Sequence, residues 1–125
     1  VLDAHRPMGE DAGFTPKELL AISVAGCTAM DVVALLKKYK EPLESLVIDS
    51  EATSVEGKYP AVFKELQITF RATGAMKREK LIEAVTLSQT KYCSVSGMLS
   101  KAFPIHYVVI LNGEEVLKGQ ANFES

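Results

Sequence analysis

The feature that most constrains this chain is an apolar run at residues 19–36, interrupted only by Ser23, Gly26, Thr28 and Asp31. A helix start precedes it. Thr15 is a good N-cap, Pro16 suits the first helical position, and Glu18 stands three residues after the cap, as a capping box requires. Lys37, Lys38 and Lys40 then favour a helix C-terminus, and Pro42 closes it. The run is slightly shorter than the roughly 20 apolar residues a membrane span needs, and it holds a carboxylate. Amphipathic elements of soluble type follow it. The expectation is a core helix, apolar on all sides and therefore wrapped by something else.

The rest of the chain supplies the wrapping. Residues 46–55 read as extended, with Leu46, Ile48 and Ala52 on one face. Residues 62–73 alternate more clearly: Leu66, Ile68 and Phe70 face inward, while Glu65, Gln67, Thr69 and Arg71 face outward. Residues 56–60, with Gly57 and Pro60, join them as a hairpin loop. Helical spacing returns at residues 76–92, a break falls near Cys93, and a shorter helix is expected over residues 94–102. Residues 105–111 form a strand, Asn112-Gly113 is a turn signal, and Val116 and Leu117 pair back as a short edge. The order helix, strand, strand, helix, helix, strand argues an α+β fold with an antiparallel sheet. Residues 5–15, with Pro7, Gly9 and Gly13, read as a loop.

A chain of 125 residues fits a single domain, here residues 1–125. Its 14 basic and 16 acidic side chains give a net charge of −2 and are scattered, so no nucleic-acid footprint is present. Two cysteines are too few for a secreted disulfide scaffold, and the residues after Val1 show no signal peptide. A cytoplasmic setting is expected, where cysteines are reduced unless they do redox work. The chain starts at Val1 inside what reads as a strand end, so N-terminal strands are expected to be missing or shortened.

Few side chains here can titrate or attack. Cys27 stands mid-helix beside Gly26. It reads either as a small buried hydrophobe or as a reactive thiol approached closely by another element. Asp31, four residues on, shares its helical face. An ionised carboxylate there would oppose thiolate formation, so Asp31 reads as a buried polar group satisfied by backbone or an arginine. Cys93 stands where the last helix begins, and that helix's dipole would stabilise its thiolate, nominating Cys93 as the more acidic thiol. His5 and His106 lack metal-ligand spacing with the cysteines, and no metal is expected. His106 reads as a surface residue and Glu10-Asp11 as a solvated loop.

The two cysteine segments resemble a known family. Thr15-Pro16-Lys17-Glu18-Leu19-Leu20, followed by Ala25-Gly26-Cys27-Thr28-Ala29-Met30-Asp31-Val32-Val33, looks like the central helix of OsmC/Ohr proteins. Lys91-Tyr92-Cys93-Ser94-Val95-Ser96 looks like their second cysteine motif. The resemblance spans residues 3–111. Asp31-Val32-Val33 after the first cysteine is similar to the OsmC-like branch rather than to the Ohr or OsmC enzymes. It implies an intertwined homodimer, with sheets wrapped around two long buried central helices and sites at the subunit interface.

It also implies an activity. Cys27 reduces an organic hydroperoxide and becomes a sulfenic acid, Cys93 resolves it as a Cys27–Cys93 disulfide, and a dithiol reductant of lipoyl type restores both thiols. No cofactor is needed. The alternative is a redox-sensing or small-molecule-binding dimer with little turnover. Family enzymes activate the first cysteine with an arginine held by a glutamate directly after the helix-start proline. Here Lys17 occupies that position, leaving Arg6 and Glu18 as the candidate activating residues.

Overall fold

The computed structural model describes residues 2–123. Val1 lies outside the described residues; Leu2 forms a single parallel bridge with Phe14. Helix α1 spans Pro16–Lys38, with Pro16 at its start. The capping box is formed: Thr15 Oγ1 accepts from the Glu18 N–H at 3.2 Å and Glu18 Oε1 accepts from the Thr15 N–H at 2.8 Å. The helix stops at Tyr39, after which Lys40 turns into the left-handed region at φ 58° and the Glu41 N–H closes on the Leu36 carbonyl at 2.9 Å.

Four strands form one sheet in the order β1-β2-β3-β4: Ser45–Ser54, Phe63–Thr73, Ile105–Leu111 and Glu114–Gln120. The hairpins β1–β2 and β3–β4 are antiparallel, as expected. The central pair is not: β2 and β3 run parallel, from Leu66 opposite Ile105 to Ala72 opposite Leu111. The reason lies in the connection. The chain between them passes through α2 (Arg78–Leu87), a π-helical turn (Ser88–Tyr92) and α3 (Ser94–Leu99). A helical crossover of this length returns the chain to the same end of the sheet, which produces a parallel pair. The β3–β4 turn uses Asn112 and Gly113, both at positive φ (50° and 83°), as a two-residue turn of the primed type demands. β4 is a full seven-residue strand rather than a short edge.

The core lies between one face of the sheet and the helices. Leu66, Ile68 and Phe70 of β2 and Ile105 and Val109 of β3 are fully buried against Val24, Val32 and Leu36 of α1 and Leu81, Ala84 and Val85 of α2. Each fully buried side chain of this size contributes about 1.5–3 kcal/mol relative to exposure.

The wrapping expected around α1 comes only in part from its own chain. Only a stripe at helical spacing, Ala21, Val24, Thr28, Val32 and Leu36, is buried within the chain. Ile22, Met30 and Val33 remain 42%, 75% and 44% exposed. One sheet covers one face of a helix, and the opposite apolar face stays open.

Candidate dithiol site

Three elements bring the two cysteines together. Cys27 lies in the fourth turn of α1, half-buried at the edge of the buried stripe. Cys93 is the N-cap of α3 and only 1% exposed. Asp31 follows Cys27 by one helical turn. The two sulfurs and an Asp31 carboxylate oxygen all lie within 4.8 Å of one another.

The π-helical turn fixes this arrangement. Such turns are rare and leave a helix one residue out of register. Here the Cys93 N–H donates to the Ser88 carbonyl at 2.9 Å, a five-residue spacing. The Ser88 hydroxyl donates to Asp31 Oδ2 at 3.0 Å, and Gln89 Nε2 donates to Ser88 Oγ at 3.2 Å. Ser88 and Gln89 are fully buried. One serine therefore holds the backbone of the second cysteine through its carbonyl and the carboxylate beside the first through its hydroxyl. Asp31 is satisfied by a serine, not by backbone or an arginine. Neither Ser88 nor Gln89 stands out in the sequence, where both fall within the helical spacing of residues 76–92.

Electrostatics work against an acidic thiol at Cys93. Burial is the largest influence on Cys93, and a hydrogen bond with Cys27 adds to it; together they push its pKa up to about 11. The Ser96 N–H, donating to Cys93 Sγ at 3.3 Å, pulls the other way without prevailing. The expectation that the helix start lowers the Cys93 pKa therefore fails. α3 has only six residues, and its capping bond does not offset removal of the sulfur from water. Asp31 is also raised above the usual carboxylate value by burial, with the Ser88 hydroxyl opposing.

Other sequence candidates lie elsewhere. Glu18 completes the cap of α1, its Oε2 sits 3.4 Å from His5 Nε2, and its bond to Thr15 lowers its pKa. His5 also pairs with Asp11, and these partners raise the His5 pKa. Arg6 occupies the same exposed loop, its N–H donating to Asp11 Oδ2 at 3.5 Å. Lys17 turns toward the β1–β2 hairpin, donating to Ser54 Oγ at 2.6 Å and lying 5.0 Å above the Phe63 ring. Arg71 pairs with Asp49 on the outer face of the sheet, as its alternation implies. Beside Lys17, an open apolar cleft of about 680 Å³ runs between α1 and α3, walled by Leu20, Val62, Phe63, Leu99 and Phe103.

A helix-backed mixed sheet that joins two remote thiols in one half-buried cluster defines a class of small dithiol α+β protein. The comparisons narrow it. Residues 9–108 match the family model described as OsmC-like protein, and the chain belongs to the OsmC-like family. It is 34% identical over 99 residues to protein YhfA of Escherichia coli (strain K12), covering 76% of this chain and 71% of the relative. A hypothetical protein from Aquifex aeolicus VF5 superposes with a TM-score of 0.77 at 29% identity, covering 94% of this chain and 80% of the other. An organic hydroperoxide resistance protein OsmC from Legionella pneumophila shares the fold, with a TM-score of 0.60 and 20% identity over 82% of this chain and 71% of that one.

Proposed function

We propose that this protein reduces organic hydroperoxides through Cys27 and Cys93, in defence against oxidative stress. The observation that carries the reading is the approach of a half-exposed and a buried thiol to within 4.8 Å. Membership of a family whose structural neighbours include a named organic hydroperoxide resistance protein supports it.

The chemistry follows from the two exposures. The Cys27 thiolate attacks one oxygen of the O–O bond, which breaks; Cys27 becomes a sulfenic acid, and the alkoxide takes a proton and departs as the alcohol. Cys93, shielded from solvent, is poorly placed to meet peroxide but well placed to attack the Cys27 sulfenic sulfur. That step forms the disulfide and releases water. A dithiol reductant of lipoyl type then returns two electrons and two protons by thiol–disulfide exchange, and is itself oxidised to a disulfide. The protein's own residues supply the redox chemistry, without a cofactor. Leu20 stands seven residues before Cys27, about 10 Å along the helix at 1.5 Å per residue. The apolar cleft it borders fits the organic part of a hydroperoxide.

The working form is a homodimer. Ile22, Gly26, Met30 and Val33 line the open side of α1 at spacings of three or four residues, and three of them are exposed apolar side chains on the helix that carries Cys27. Such a stripe on the longest helix is covered by a second copy in this reading. The protein acts as one domain in the cytoplasm, with neither nucleic acid nor membrane as partner.

The test is consumption of cumene hydroperoxide with dihydrolipoate as reductant. Wild type is expected to turn over, and Cys27→Ser to lose turnover. Equal rates in the two proteins would overturn the proposal. A second reading, a redox-sensing or small-molecule-binding dimer with slow turnover, draws on the raised Cys93 pKa. Disulfide formation at one equivalent of peroxide, without sustained turnover, would select it.

A further inference from the structure

We propose that Cys27, Asp31 and Cys93 of the reduced protein form a binding site for a thiophilic divalent cation of the zinc type. The three donor atoms lie within 4.8 Å of one another. Tetrahedral zinc, with Zn–S near 2.3 Å, sets two sulfurs about 3.8 Å apart, so the cluster needs to close by only about 1 Å.

The donor set selects the metal class. Two thiolates and one carboxylate suit a borderline-soft ion and disfavour magnesium or calcium, which prefer oxygen alone. Three protein ligands leave the fourth tetrahedral position to water or a small anion. Cys27 and Asp31 share one face of α1, four residues apart, while Cys93 enters from the N-cap of α3.

The cluster also has an outer layer of the kind ligating groups use. Ser88 Oγ holds Asp31 Oδ2, Gln89 Nε2 holds Ser88 Oγ, and the Ser88 carbonyl holds the Cys93 N–H. Such partners orient ligands, and their loss typically costs about 10–100-fold in metal affinity. All of them are buried, so the carboxylate is fixed before a cation arrives. Binding transfers no electrons: two thiol protons pass to solvent as two metal–sulfur bonds form. The Cys27–Cys93 disulfide has no thiolate to offer, so metal binding and disulfide formation exclude each other. The site requires the dithiol geometry but not peroxide turnover, and it stands or falls separately from the activity above.

The test is titration of the reduced full chain with Co²⁺, read by sulfur-to-cobalt charge-transfer absorption, followed by displacement with Zn²⁺. One equivalent should bind, with the intensity of two thiolates. Cys27→Ser and Cys93→Ser should each lose about half that intensity and bind at least about tenfold more weakly, and Asp31→Asn should weaken binding by at least about tenfold while keeping the intensity. The exposed His5–Asp11–Glu18 group is the rival location, and His5→Ala should change nothing. A readout free of substitution is protection by Zn²⁺ of the more exposed thiol, Cys27, in the native protein against iodoacetamide. Absence of stoichiometric binding, binding indifferent to the cysteine variants, loss with His5→Ala, or an unprotected Cys27 would each overturn the proposal.

Discussion

The ionisation of Cys93 offers a quantitative test of how the fold treats its second thiol. Its pKa of about 11, against 9.0 for an ordinary thiol, comes first from burial and second from Cys27. At about pH 8 the two-unit difference lowers the thiolate fraction about 100-fold, before any steric protection is counted. Peptide mapping by mass spectrometry after iodoacetamide treatment measures this directly. The rate at Cys93 should rise about tenfold per pH unit and continue rising past pH 9, whereas the same peptide in urea should level off near pH 9.

Cys27→Ser separates the causes: without a second ionisable sulfur the profile should move down, yet remain above that of the unfolded peptide because burial persists. Stability should follow with a definite sign. A thiol whose folded pKa is raised favours the folded state below about pH 9, and that contribution is lost as pH climbs through about 11, up to about 2–3 kcal/mol at 1.36 kcal/mol per unit. The unfolding free energy of wild type relative to Cys93→Ala should therefore fall across that window. A Cys93 profile that levels near pH 9 in the folded protein, or a stability difference independent of pH, would refute the reasoning.

Further outcomes follow from the same geometry. Oxidation to the Cys27–Cys93 disulfide closes a loop of about 67 residues and should stabilise the fold by up to about 4 kcal/mol on the chain-entropy account, read as a higher urea midpoint. Leu36→Ala, at a site with no exposure, should cost about 2–5 kcal/mol and lower Tm, while thiol labelling in the folded state stays close to wild type. Met30→Glu, on the open side of α1, should shift the protein toward monomer in light scattering with little change in the fold of the single chain. Leu20→Asn should raise KM for cumene hydroperoxide severalfold and leave hydrogen peroxide reduction almost unchanged.

Much of this was legible in the sequence because it is written locally. The capping box at Thr15 and Glu18, the alternation from Leu66 to Phe70, the break at Cys93 and the Asn112-Gly113 turn are each set by neighbours in the chain, and each forms. Features that depend on distant partners were less legible. Alternation cannot tell whether β2 and β3 run parallel, because the direction is set by the helical crossover between them. An apolar helix does not reveal how much of its surface its own chain covers; here one sheet covers one face and leaves Met30 and Val33 open. At the dithiol cluster the residue types were visible but the balance of forces was not. A helix start at Cys93 suggests an acidic thiol, and only the three-dimensional burial of its sulfur shows that desolvation wins. Ser88 gave no signal, since a polar residue at a helix end is ordinary and its reach to Asp31 depends on the π-helical turn.

The most direct test of the central claim is the product of one equivalent of cumene hydroperoxide on the fully reduced protein, mapped by non-reducing peptide mass spectrometry. An intramolecular Cys27–Cys93 disulfide should appear as the peroxide is consumed. Accumulation of Cys27 sulfinic acid while Cys93 stays a free thiol would contradict it, because two sulfurs held within 4.8 Å should join before a second oxidation.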